Sequence, residues 1–247
     1  MSWSFIPTAI TTLLAVLTFL GVHNFFLEPW LVARQLRKKY ATALWISCEE
    51  LRLHLEEIQH KISEKNTKAL DALKKIPDHD FNNRVDWFTK YGYYTTITAY
   101  RIAVVSCWLH IYQRELLISP YRKSHRFVFA LYTKADHLKR AFGENTCLWH
   151  DYFDAIGSKL EDHPADIFRP MSFGGFCDRS FSDKTFRKFY EQLHMFISFV
   201  ATERYPGTID RIRNALRDLT GFLEKENLLT GLELERSTID PELTGPE

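Results

Sequence analysis

The tightest constraint lies at the start of the chain: no side chain from Met1 to Leu27 carries a formal charge, and Phe5 to Val22 is almost continuously apolar. At about 1.5 Å rise per residue, roughly 20 helical residues cross the hydrocarbon core of a bilayer, and the run reaches that length if it extends through Phe25 and Phe26. A cleaved signal peptide, a buried core helix and a permanent anchor can all share such a composition. A signal peptide opens on Lys or Arg and closes on a small-x-small site, whereas this run opens Met-Ser-Trp-Ser and closes on Phe25, Phe26 and Leu27. It is also too long and one-sided for an ordinary core helix. The expectation is a single transmembrane anchor over residues 1–28, with Trp3 and Trp30 at the two interfaces where amphipathic rings settle.

Orientation follows from the flanks. No Lys or Arg precedes the run, while Arg34, Arg37, Lys38 and Lys39 follow it closely. The positive-inside rule then places the N-terminus outside and the C-terminal domain in the cytoplasm, with the lipid bilayer as the first expected partner. The same cluster could meet anionic headgroups at about 1 kcal/mol per cation, although a topology signal alone explains it.

The rest of the chain reads as all-α. Glu28 and Pro29 punctuate the exit from the bilayer, since proline suits the first turn of a new helix. The following juxtamembrane helix, within 29–66, spaces Leu36, Tyr40, Leu44, Cys48, Leu51, Leu55, Ile58 and Ile62 by threes and fours. Glu49, Glu50, Arg52, Glu56, Glu57 and Lys61 take the other face. That stripe can pack on its own domain or form a coiled-coil seam with a second copy.

A helical bundle is expected over 67–230. After a polar link and a loop at Ile76 to Asn83, the segment Tyr91 to Tyr112 holds one formal charge, Arg101, and is apolar or aromatic nearly all round, as a helix at the centre of a bundle should be. A second membrane span is the competing reading. It would set Arg101 in mid-membrane at about 2.5 to 3.5 kcal/mol, with Thr95, Thr96, Thr98 and His110 adding to the cost.

Ser124 opens a helix with the stripe Phe127, Val128, Leu131, Ala135, Leu138 and Phe142, closed by Gly143. Asn145 opens another that turns Leu148, Trp149, Tyr152, Phe153 and Ile156 inward, and His163 to Arg179 is irregular. Ser182 caps a helix with Phe181 set against Phe186, and Tyr205, Pro206 and Gly207 turn the chain into a last helix with Ile209, Ile212, Leu216, Leu219 and Leu223 inward. The stretch 231–247 is acidic, poor in aromatics and expected to be a loose tail.

Composition narrows function mainly by exclusion. Lys and Arg number 32 against 31 Asp and Glu, so no global field draws in nucleic acid, and Arg211, Arg213 and Arg217 are diluted by Asp210, Asp218 and Glu224. The four cysteines, Cys48, Cys107, Cys147 and Cys177, stand far apart in apolar surroundings, as buried thiols do. Cys147, His150, Asp151 and Asp154 lack the paired short spacing of a zinc site, so no metal and no cofactor is expected.

The glycines of Phe173-Gly174-Gly175-Phe176 lack the Lys and Ser or Thr of a phosphate loop, and no Gly-x-Ser-x-Gly exists. No catalytic residue is nominated. Two functional classes remain. One is a membrane-tethered protein-interaction or scaffold module that binds itself or another membrane-associated protein, through the juxtamembrane stripe or the loop carrying Phe173 and Phe176. The other is an enzyme or small-ligand sensor with a polar site on the central helix, where Tyr100, Cys107, His110 and Arg114 fall near one face beside Arg101 and Glu115.

Overall fold

In the computed structural model of the chain, the described residues are 28–74, 87–88, 92–118, 125–144, 146–162, 168–202, 204 and 206–226. They form α1 (Glu28–Ser63), α2 (Thr67–Lys74), α3 (Tyr93–Ile118), α4 (His125–Gly143), α5 (His150–Leu160), β1 (Glu161–Asp162), β2 (Arg169–Pro170), α6 (Phe173–Ser182), α7 (Lys184–Ala201) and α8 (Thr208–Lys225). The architecture is all-α, with β1 and β2 as a two-residue antiparallel ribbon pairing Glu161 with Pro170 and Asp162 with Arg169. Among the described residues no helix is long and apolar enough to cross a membrane. The expected anchor at 1–27, the loop at 76–83, the caps Ser124 and Asn145 and the tail at 231–247 lie outside them.

The centre of the bundle is α3, which packs against α1 along one side and α5 along another, with α7 and α6 closing around it. Its buried set includes Ala99, Ile102, Ala103, Val105, Cys107, Leu109, Ile111, Tyr112 and Leu116. The second-span reading finds no support, because α3 is not apolar enough to cross a membrane, and its threonines are satisfied inside the protein. Thr95 Oγ1 donates to the Ala72 carbonyl at 2.7 Å, Thr98 Oγ1 to the Tyr94 carbonyl at 2.8 Å, and Thr96 shares a 3.0 Å bond with the Tyr190 hydroxyl.

The stripe of α1 is core. Tyr40, Leu44, Cys48, Leu51, Leu55 and Ile58 are all buried in the same cluster as α3, while Ile62 is half-buried. A fully buried Leu contributes roughly 1.5 to 3 kcal/mol, so the stripe from Tyr40 to Ile58 is committed within the chain. The opposite face of α1 behaves as its charges dictate, with Glu50, Glu56 and Glu57 exposed.

Several local expectations are corrected. The polar link contains a helix, α2, whose Leu73 is fully buried. The helix expected from Asn145 starts at His150; Trp149 is its N-cap in an extended conformation and is 68% exposed rather than inward. Phe173 to Phe176 is no loop but the first turn of α6, where Ser172 Oγ accepts from the Gly175 N–H at 3.2 Å. Asp183, one residue beyond Ser182, caps α7 by accepting from the N–H groups of Thr185 and Phe186 at 2.8 and 3.1 Å. Phe186 consequently meets Phe176 at 5.6 Å, and the Arg187 guanidinium lies over the Phe181 ring.

The α3–α5 crossing depends on a glycine. A Cβ on Gly157 would stand 2.6 to 2.9 Å from the Ser106 hydroxyl and its backbone, closer than atoms tolerate. Ser106 Oγ donates to the Phe153 carbonyl at the same crossing. Gly157→Ala is therefore expected to push the two helices apart and destabilise the fold by about 1 to 3 kcal/mol, read as a lower thermal midpoint.

Candidate functional site

The spacing of Tyr100, Arg101, His110 and Arg114 suggests one seam, but the structure turns these side chains to different neighbours. The Tyr100 hydroxyl donates to the Met171 carbonyl at 2.9 Å, and its ring packs on Phe173 and Phe176 at 5.3 and 5.5 Å. Arg114 forms a bidentate pair with Glu161 of β1, at 2.8 and 2.5 Å, and lies 4.2 Å over the Phe168 ring. Such a fork pinned to a buried carboxylate is a structural clamp. Cys107 is fully buried, and burial pushes its thiol pKa up. His110 is half-buried with no hydrogen bond or ion pair among the described residues. The seam does not converge.

The charge of Arg101 is felt instead at His54 of α1, a residue the sequence reading missed. His54 is 5% exposed, with Nε2 2.8 Å from Thr98 Oγ1 and the ring edge-on to Tyr94 at 5.4 Å. Thr98 uses its only hydrogen toward the Tyr94 carbonyl, so in the neutral ring Nε2–H donates to Thr98. Burial, then the nearby Arg101 charge, lower the His54 pKa to about 4 against a partial opposing pull from Glu57. The sequence signal was a histidine beside the inward positions Leu51, Leu55 and Ile58 of α1. One turn further on, Lys61 donates to Glu57 and, at 2.9 Å, to the Tyr94 hydroxyl.

The other nominated residues are placed plainly. Phe176 is 1% exposed and belongs to the core, and Phe173 is half-buried against Tyr93 and Tyr100, so neither forms an exposed docking loop. Arg34 and Lys39 are exposed on α1, Lys38 is half-exposed, and the side chain of Arg37 lies outside the described ones. Cys147 precedes α5 rather than sharing its face with His150, and Asp154 pairs with Lys139 at 2.7 Å. Among the described residues no three His, Cys, Asp or Glu side chains are placed to hold a metal ion. Arg213, a candidate for nucleic-acid contact, reaches Glu56 at 2.8 Å.

One open cleft, about 340 Å³, lies where the end of α1 meets the turn into α8. Gln59, Ser63, Thr208 and Asp210 line it together with Ile62, Val200 and Ile209. Gly207, at φ 71°, makes the turn that opens α8 without a side-chain cap, in a left-handed conformation that suits glycine. Gln59 donates to Asp210 at 2.9 Å and accepts from Arg213 at 2.5 Å, so the polar wall is internally paired. No nucleophile and base meet there.

Protonation of His54 gives the site a measurable signature. The folded pKa lies below the ordinary value near 6.5, so the unfolded chain takes up a proton at a pH where the folded chain does not. Its stabilising contribution is present above about pH 6.5 and is lost as pH falls toward 4, amounting to on the order of 3 kcal/mol. Chemical denaturation of the protein in neutral detergent at pH 7.5 and pH 5, compared with His54→Gln, should show the steeper acid loss in the unsubstituted chain.

No family model, curated protein or solved structure matches this chain.

Proposed function

We propose that the chain is a membrane-anchored helical module that binds a protein partner in the same membrane. The observation that carries this reading is an exposed aromatic group at the start of α5. Trp149 is 68% exposed, Tyr152 is 39% exposed, and the Tyr152 ring meets Phe189 of α7 edge-on at 5.7 Å. Trp and Tyr supply large apolar area at low conformational cost and are enriched where partners dock. The group sits on a helix fixed by the Gly157–Ser106 contact, so it is presented on a rigid base.

The anchor in this reading is the charge-free run from Met1 to Leu27, with Arg34, Arg37, Lys38 and Lys39 holding the following domain on the cytoplasmic side. Tethering raises the effective concentration of a partner confined to the same surface, which serves a binding module without catalysis. Chain that is released from membranes by alkaline washing, or a C-terminal reporter found outside, would overturn this topology. Replacing Trp149, 68% exposed, by Ala should lower the thermal midpoint little and weaken chemical cross-linking to the neighbouring protein by tenfold or more, as for a hot spot of about 2 kcal/mol. An unchanged cross-linking pattern removes the aromatic group from the interface.

A second reading, a small-ligand sensor or enzyme near Arg101, is favoured by one observation. Arg101 is half-buried beside His54 and forms no ion pair or hydrogen bond among the described residues. A small anion would supply the missing counter-charge. Inorganic phosphate should then raise the thermal midpoint of the protein by mass action, and Arg101→Gln should abolish the rise; equal responses in both chains exclude the site.

A further inference from the structure

The central helix α3 is not covered equally on all sides. Ile97, Arg101, Val104 and Trp108 follow one another at steps of four, three and four, which puts them on one face. All four are half-buried, whereas Thr98, Ile102 and Val105 beside them are buried. The strip runs between two walls. On one side α1 is fixed to α3 by His54 against Thr98 at 2.8 Å and by Lys61 against the Tyr94 hydroxyl at 2.9 Å. On the other, the Tyr100 hydroxyl donates to the Met171 carbonyl at 2.9 Å, and the Tyr100 ring meets Phe173 of α6 at 5.3 Å. Between these walls α3 presents hydrocarbon with one guanidinium in its midst.

The other cations near the strip have counter-charges. Lys61 pairs with Glu57, and Arg114 pairs with Glu161. Arg101 has no ion pair and no hydrogen bond among the described residues. Glu50, on the α1 wall, is exposed and makes no ion pair with it. A guanidinium stays charged at any ordinary pH, and its planar fork matches a carboxylate through two parallel hydrogen bonds. From Arg101 the strip continues to Trp108, about 10 Å along the helix axis, with Val104 between them.

We propose that this strip binds an acyl carboxylate, with the anionic head forked on Arg101 and the hydrocarbon chain laid over Val104 and Trp108. The proposal rests on the reading of Arg101 as an anion site and adds the class of anion. An inorganic anion answers the charge and leaves the apolar strip wet. A neutral hydrocarbon covers the strip and leaves the charge without a partner. An acyl chain with a carboxylate does both, since each methylene moved out of water onto Val104 and Trp108 adds to the affinity of the head.

The test is a thermal-midpoint titration of the full chain in neutral detergent at pH 7.5, with hexanoate, inorganic phosphate and hexanamide as probes. Hexanoate should raise the midpoint at a concentration about tenfold lower than phosphate does, and hexanamide should leave it unchanged. Arg101→Gln should lose the hexanoate response. Val104→Glu, which supplies a carboxylate one turn from Arg101, should lose it as well. A second readout needs no substitution in the strip: the ring protons of His54, where the Arg101 charge is felt, should shift in NMR spectra on addition of hexanoate and not of hexanamide. Phosphate acting as well as hexanoate would leave an anion site at Arg101 and overturn the acyl ligand. Hexanamide acting as well as hexanoate, unmoved His54 protons, or an undiminished response in Arg101→Gln would each overturn the proposal. Failure of both hexanoate and phosphate would remove the anion reading together with it.

Discussion

Everything in this bundle is arranged around the burial of one helix that has almost no charge of its own. α3 presents Ala, Val, Ile and Leu side chains in nearly every direction, and the remaining helices cover it. Burial of such a helix demands that its threonines and serine find partners, since an unpaired hydroxyl in the interior costs about 1 to 3 kcal/mol. They do so by bonding the carbonyls of Ala72, Tyr94 and Phe153 and the hydroxyl of Tyr190. Those bonds fix which neighbour sits where. The short α2 exists as a packed element because it brings the Ala72 carbonyl to Thr95 and Leu73 into the core.

The polar contacts around this core fall into two kinds. Arg114 and Glu161 join the end of α3 to the small ribbon, and their geometry holds the chain in place without leaving a reactive group. The His54 network on the opposite side joins α1 to α3 through a neutral imidazole, with cationic groups nearby that disfavour its protonation. Neither arrangement pairs a nucleophile with a base. Solvent-facing aromatic area at Trp149 and Phe129 departs further from an ordinary surface.

The long elements were legible because their apolar positions repeat. The stripes of α1, α4 and α8 are buried almost residue for residue, and the featureless apolarity of Tyr91 to Tyr112 marks the centre. The ends were less legible. Ser182 and Asp183 are adjacent and both able to cap, but Ser182 Oγ donates back to the Asp178 carbonyl at 2.9 Å while Asp183 caps α7. Two glycines, each costing a helix interior about 1 kcal/mol, hid α6, which forms because Ser172 caps it and Phe176 fills the core. A helix begun at Asn145 turns Trp149 inward, whereas the helix starts only at His150 and leaves Trp149 in an extended conformation. Helical spacing puts Arg101 and Arg114 near one face of one helix, yet it could not reveal that Glu161, from another element, would hold Arg114 alone.

The buried cysteines have a consequence for the conditions under which this protein can persist. Cys48 and Cys107 are fully enclosed, and burial raises both thiols far from the range in which a thiolate forms. Oxidants and disulfide exchange act through the thiolate, so these two sulfurs serve as packing atoms and are chemically silent. The core is thereby insulated from the redox poise of whatever compartment holds it. A change in that poise would reach these sulfurs only after the bundle had already opened.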